Sequence, residues 1–470
     1  MSDGAPRLRM HERVPLTVLP VVGLCGVLWL ITVRLNWPGH YSVDSIVQLA
    51  EGMTGFYVSF NPPGMSIVLG EVSRWGGHGA FMALSAGLYF TALARLLLRG
   101  WPGLRRGWPM LLLATCIALS PVTLIYNGTV WKDVFCANLL LLAFVLVPAP
   151  RALRPWPAIA SAILLAAVAA RVREHGAIAA MVLIAYAAWT LDPRTGRWPV
   201  RGRRVLQLGG LWLGLTLALG GLIASQVVEA PASGKGWRIA MRFEIAGMVF
   251  HSRHPEAVLT RFGIDPDAAM KAVHEAYTPQ RVDTLGAFTA TLNRTKPALL
   301  PLWWALLREE PLSLWRHKTA AAGELLGRRT DSRCLPAHVG VSVEAMDILR
   351  RNMPYDFPPG FLPIRSVYTQ QLYNYRQWGL AAFTGWPYAL LLVAALSLGL
   401  HRRNALASSL ALAGLLYVAS FVVAGLACDF RYQYFGVAAS LFAGLALCQR
   451  RPTPAVAVPE VRQPPAGITP

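Results

Sequence analysis

The sequence predicts an all-α polytopic membrane protein with about ten transmembrane helices. Three observations carry this. Of 470 residues, 54% are hydrophobic and only 14% are charged, whereas soluble domains carry roughly a quarter charged residues. Several apolar runs approach the roughly 20 residues that a helix needs to cross a hydrocarbon core of about 30 Å. Arginines gather in alternate connections between those runs, the asymmetry that marks cytoplasmic loops. The net charge of +20 is therefore mostly arginine at membrane borders and points to membrane lipids, not to nucleic acid.

Taken in order, the first span is 14–33. It follows Arg7, Arg9 and Arg13 and runs on to Arg34 and Trp37 without the small-residue end of a cleaved signal. The remaining spans are expected at 79–98, 108–126, 134–149, 156–170, 176–191, 204–228, 379–399, 405–427 and 432–448. With ten crossings, Arg95–Arg106, Arg151 and Arg154, Arg194–Arg204, Arg402 and Arg403, and Arg450 and Arg451 share one side with the N-terminal arginines. That side is the cytoplasm, and both termini lie there. "NPPGMSIVLGEVSRW", Asn61 to Trp75, is too short for a span and contains Glu71. It reads as an interfacial or re-entrant helix opened by Pro62 and Pro63.

Four units follow. Residues 1–228 form a membrane core with a first outer loop at 34–78. Residues 229–378 form an outer segment of short helices on the membrane surface and over the core; 379–448 hold the last spans, and the Pro-rich 449–470 is a disordered cytoplasmic tail. The six cysteines have neither metal-ligand nor redox spacing. Cys334 and Cys428 could meet on the outer side, although their spacing does not favour it.

Charge is unusual in the stretch "YNGTVWKDVFCANLLLL", where Lys132 and Asp133 stand between two apolar runs. On the expected topology they lie at the outer end of the fourth span. Arg171, Arg173 and His175 lie at the outer turn between spans five and six, and Asp429 and Arg431 between spans nine and ten. Asp44 and Gln48 lie just beyond span one. Spans four to six are short, so these turns should be drawn below the outer surface, where ionisable residues are costly and mark function. Simpler readings exist for each alone. Trp131 suits an interfacial belt, Asp133 a helix N-terminus, Lys132 a snorkelling side chain, and Asp44 a helix cap. As a set, Lys132, Arg171, Arg173 and Arg431 would repel one another unless they share an anion. A lipid-linked phosphate is the natural one at this surface. An acid beside it, Asp44, suits proton abstraction from an attacking hydroxyl.

An acidic residue soon after span one, a Pro-Pro helix in the first outer loop and Asp133 in "WKDVFCANLLLL" resemble the polyprenol-phosphate-sugar-dependent membrane glycosyltransferases of the C-type fold. These include the aminoarabinose transferases of lipid A and the protein O-mannosyltransferases. Where that pattern often has His-Pro-Pro, this chain has Asn61-Pro62-Pro63. "WKD" and "RYQYF" are closer to a bacterial, uncharacterised branch. The resemblance covers about 14–190 and the final span and is weak through 229–378.

It implies a bacterial inner-membrane enzyme that moves a sugar from a polyprenyl phosphate to a periplasmic glycan, lipid or protein. Asp44 and Asp133 would be catalytic. Lys132, Arg171, Arg173 and Arg431 would bind the donor phosphate, with Gln48, Asn61, His175 and Asp429 nearby. Some relatives use a divalent metal, which Asp44 and Asp133 could share. An envelope-polysaccharide polymerase or O-antigen ligase is the alternative and a transporter or flippase the third; the early Asp44 loop argues against the former, and the lack of internal symmetry against the latter.

Reporter fusions test the sidedness. Fusions after residues 100, 197 and 403 should report cytoplasm, and fusions near 55 and 300 the outside. A cytoplasmic signal at 300 would separate Asp44 from the late outer segment and contradict the span list.

Overall fold

The computed structural model describes residues 18–57, 61–99, 101, 104–150, 152, 154–191, 198–227, 236–327, 334–352, 361 and 367–449. From residue 450 the Pro-rich tail lies outside them, as do Arg7, Arg9, Arg13, Arg151, Arg194 and Arg197. Among the described residues the regular structure is helical, with only three isolated β-bridges. The first unit comprises α1 (Leu19–Asn36), α2 (Val43–Thr54), α3 (Pro63–Gly76), α4 (Ala80–Arg99), α5 (Leu104–Leu119) and α6 (Pro121–Gly128). It continues with α7 (Lys132–Leu146), α8 (Trp156–Val172), α9 (Gly176–Leu191) and α10 (Trp198–Gln226). The segment expected on the outer side (the outer segment) holds α11 (Gly236–His251), α12 (Glu256–Arg261), α13 (Pro266–Ala276), α14 (Gly286–Thr295), α15 (Leu299–Glu309), α16 (Pro311–Leu326), α17 (Ala345–Asn352) and α18 (Thr369–Trp378). The chain ends on α19 (Gly385–His401), α20 (Ala405–Ala424) and α21 (Tyr434–Cys448).

A helix stands at each of the ten apolar segments. By length and composition, four can cross a membrane: α1, α4, α10 and α20. The pair α5–α6, bent by 58° at the break before Pro121, makes a fifth if taken as one span. Helices α8, α9 and α19 are apolar but shorter. The chain is thus an all-helical membrane protein. Helix α10 shows why: Leu206, Leu211, Leu213, Leu217 and Leu222 are exposed along it, a continuous apolar face too large for water to tolerate. Helix α7 is the opposite case, buried from Asp133 to Val145, and packs against α4, α8 and α21 at the centre of the core.

Helix α3 is the short Pro-Pro helix, with Pro62 at its cap and Pro63 in its first turn. It packs closely on α2 because both backbones carry glycine at the crossing. A Cβ at Gly52 would run into the Ser66 carbonyl, and one at Gly70 into the Gly52 backbone. Ser66 donates to the fully buried Glu51 at 2.7 Å across the same contact.

Main-chain pairing then fixes the loop that carries Asp44. His40 N donates to Gly128 O at 2.8 Å and Val130 N to His40 O at 3.0 Å, while Tyr41 N donates to Gly340 O at 2.8 Å. The His40 ring completes the junction: Gly340 N donates to its Nδ1 at 3.1 Å, and its Nε2 donates to Asn36 Oδ1 at 2.8 Å. The first outer loop, the start of α7 and the late outer segment are therefore locked together.

The outer segment has its own small core, in which Phe243, Met248, Phe288 and Leu302 are buried. It is stitched to the turn after α20. Val282 N donates to Leu426 O at 3.0 Å, Cys428 N to Gln280 O at 2.9 Å and Phe430 N to Leu335 O at 3.1 Å. Cys334 and Cys428 are joined in a disulfide across this seam, a pairing that their sequence spacing did not favour. The fold supplies what spacing could not, since residues 94 apart in the chain meet only once the outer segment folds back over α20.

Candidate active site

A cavity of about 920 Å³ opens where these pieces meet. One wall carries Asp44, Asn61, Lys132, Arg173, Asp429 and Arg431; His175 also lines it. The rest of the lining comes from α11, α14 and residues 281–286, and joins the first wall where Arg281 Nη1 lies 4.0 Å from Asp429 Oδ1.

Lys132 is the first residue of α7. A cation is unfavourable at a helix N-terminus, so helix stability does not account for it. Its ammonium is bonded to the Asn61 side chain, and among the described residues it has no carboxylate within ion-pair distance. Arg173 caps the C-terminus of α8 in an extended conformation, where a cation is favourable. Asp133, one residue past Lys132, points the other way. It is buried behind Arg173, with Nε to Oδ1 at 3.2 Å and Nη1 to Oδ2 at 3.5 Å.

Arg431 sits on a short 3₁₀ turn before α21. Its Nη1 donates to Asp44 Oδ2 at 2.7 Å, and its Nε lies 3.5 Å from Asp429 Oδ2. Aromatic faces hold both guanidiniums. Arg173 lies over Phe421 and Tyr432, each at 5.1 Å; Arg431 lies over Trp131 at 5.1 Å and Tyr432 at 5.2 Å. The Tyr432 ring is stacked on Phe421 at 5.0 Å and so serves both cations. The Nε of each arginine is buried and faces a carboxylate, Asp133 or Asp429, without the alignment of a full hydrogen bond.

Asp44 lies in the first turn of α2, whose cap is Ser42; its carboxylate goes to Arg431 instead of capping the helix. The site's enclosure pushes its pKa up. The Arg431 and Lys132 charges, the Arg431 hydrogen bond and the Arg173 charge outweigh this and hold Asp44 below the ordinary carboxylate range. It is ionised at neutral pH and, while paired, a weak base.

The structure thus brings together Asp44, Asn61, Lys132, Arg173, His175, Asp429 and Arg431. His175 is held by Ser420 Oγ at 2.9 Å and stacks on Phe421 at 4.0 Å. Three expected residues are not on the cavity wall. Arg171 packs its guanidinium against Gly220 of α10. Gln48 is buried within α2 with Nε2 unpartnered. Asp133 acts through Arg173. Trp131 is not an interfacial belt residue: it is buried, and its indole donates to Ser42 Oγ at 2.8 Å. Sequence reasoning missed Tyr432, Arg242, Arg281 and Asp283. Only "RYQYF" hinted at the first, and no pattern in the outer segment marked the others.

A metal shared by Asp44 and Asp133 does not fit this arrangement. Each carboxylate is paired to its own arginine, and Asp133 is turned away from the cavity. Comparison with family models, curated proteins and solved structures returned no match to this chain.

Removing one partner of a buried ion pair leaves an uncompensated charge, at a cost of about 3–5 kcal/mol. Asp133→Asn should therefore lower the melting temperature of the detergent-purified protein, and adding Arg173→Gln should restore part of the loss. An Asp133→Asn protein as stable as wild type would remove Asp133 as the support of Arg173.

Proposed function

We propose that the protein is a multi-pass glycosyltransferase of the bacterial inner membrane, with ten spans and cytoplasmic termini. It transfers a sugar from a polyprenyl phosphate to a cell-envelope acceptor on the outer side. The observation that carries this reading is the wall formed by Lys132, Arg173 and Arg431 beside Asp44. It gathers three cations in an open-mouthed cavity whose apolar border includes Trp237, Ile239, Ala424 and Leu426. Such a border suits a lipid chain, and the cations suit its phosphate.

In the reaction, the acceptor hydroxyl attacks the anomeric carbon. The bond from that carbon to the phosphate oxygen breaks, and the oxygen leaves with the electron pair as polyprenyl phosphate. Lys132 and Arg431 stabilise the charge that develops there, with Arg173 behind them. Asp44 takes the hydroxyl proton. Direct displacement inverts the anomeric centre.

The pairing of Asp44 with Arg431 gives this step an order. An arriving phosphate competes for Arg431, which keeps Asp429 and its two aromatic faces when it lets Asp44 go. Losing a cation and gaining an anion both raise the Asp44 pKa. The base is therefore released by the substrate whose reaction needs it.

The polymerase or ligase alternative has one observation in its favour: the outer segment contributes Arg242 and Arg281 to the cavity lining. Asp44→Asn separates the two. Asn keeps the shape but not the charge, and turnover with a polyprenyl-phosphate sugar in membranes should fall on the order of 100-fold, with expression unchanged. A fully active Asn variant would remove Asp44 from the mechanism. Damage confined to arginine substitutions in the outer segment would favour the alternative.

A further inference from the structure

The lining from α11 carries charge that the donor phosphate does not explain. Among the described residues, two of the cations lining the cavity have no carboxylate within ion-pair distance. One is Lys132; the other is Arg242, on α11. Arg281 by contrast is paired with Asp283, with Nε at 3.0 Å from both carboxylate oxygens and Nη2 at 2.8 Å from Oδ2, and its Nη1 lies 4.0 Å from Asp429 Oδ1. Among the described residues Arg242 has one hydrogen-bond partner, the neutral Asn293 Oδ1 at 2.7 Å, and none at its buried Nε atom. Arg238 stands one helical turn before it, a like-charged neighbour that adds repulsion. Partial burial and Arg238 both push the Arg242 pKa down, and among the described residues no carboxylate pairs with it to offset this. Thr289 of α14 lines the same cavity.

We propose that Arg242 is the anchor of a second anion subsite in the cavity that Lys132 and Arg431 also line, and that it binds a phosphate or carboxylate group. The proposal rests on the donor reading only in assigning the first phosphate to Lys132 and Arg431. The second anion has two sources, a second phosphate on the lipid donor or an acidic group on the acceptor sugar. In either case Arg242 sets which substrates are taken, and a neutral acceptor with a monophosphate donor leaves it unused.

Calorimetric binding to the full-length protein in nanodiscs tests this with three probes: farnesyl phosphate, farnesyl diphosphate, and glucuronate added after saturation with farnesyl phosphate. Arg242→Gln should leave farnesyl phosphate binding unchanged. It should weaken by about 10-fold either farnesyl diphosphate, if the second anion belongs to the donor, or glucuronate, if it belongs to the acceptor. Should that variant fail to fold, Arg242→Lys replaces it, with the same pattern at about 3-fold because the planar fork is lost. Arg242 substitution that changes none of the three, or weakens farnesyl phosphate equally, would overturn the subsite. Lys132→Gln serves as the separate arm: farnesyl phosphate binding that ignores it would sink the donor reading while leaving the Arg242 result readable.

Discussion

The Tyr432 ring lies against two guanidinium groups at once, and the candidate site depends on that arrangement. Arg173 and Arg431 are largely buried and would repel each other if left as bare neighbours. The ring offers each a π-face, a source of about 2 kcal/mol or more where water is excluded. Phe421 and Trp131 close the outer faces, and three carboxylates, Asp133, Asp44 and Asp429, take up the charge. Of these, Asp133 and Asp429 are buried, whereas Asp44 is 41% exposed. The arrangement is over-determined at every contact but one, and that one joins the proposed base to the proposed phosphate ligand.

The rest of the fold holds these groups in register. Lys132 and Asp133 are adjacent in sequence yet serve different sides, because successive residues entering a helix point about 100° apart. Asp44 is set by the pairing of His40 and Tyr41 with residues 128–130 and 340–342. Arg431 is set by a turn tied to the outer segment through main-chain bonds and the Cys334–Cys428 disulfide. The outer segment is therefore not a separate appendage. It aligns Arg431 and supplies the second cavity wall.

Much of this was legible before any coordinates. Apolar runs marked the helices at all ten segments, and the Pro-Pro pair marked α3. Alternating arginine loops implied that Asp44, Lys132, Arg173, His175, Asp429 and Arg431 share one side. What could not be read is what depends on side-chain direction and long-range closure. Nothing in "WKD" says that Lys132 faces the cavity while Asp133 turns behind Arg173. Nothing in "ARVRE" separates Arg173 from Arg171, which packs on α10. Arg242 lies in a stretch whose helical pattern is that of any amphipathic surface helix, and only the closure of residues 281–286 onto the turn after α20 brings it to the cavity.

The central claim is that a lipid phosphate takes Arg431 from Asp44. A cryo-electron microscopy structure of the protein in nanodiscs with farnesyl phosphate bound tests it most directly. The account predicts phosphate density bridging Lys132 and Arg431, with the Asp44–Arg431 contact, 2.7 Å in the free protein, opened beyond ion-pair distance and Arg431 still on Tyr432 and Trp131. A phosphate seated elsewhere, or one bound at Lys132 with the Asp44–Arg431 pair intact, would contradict it.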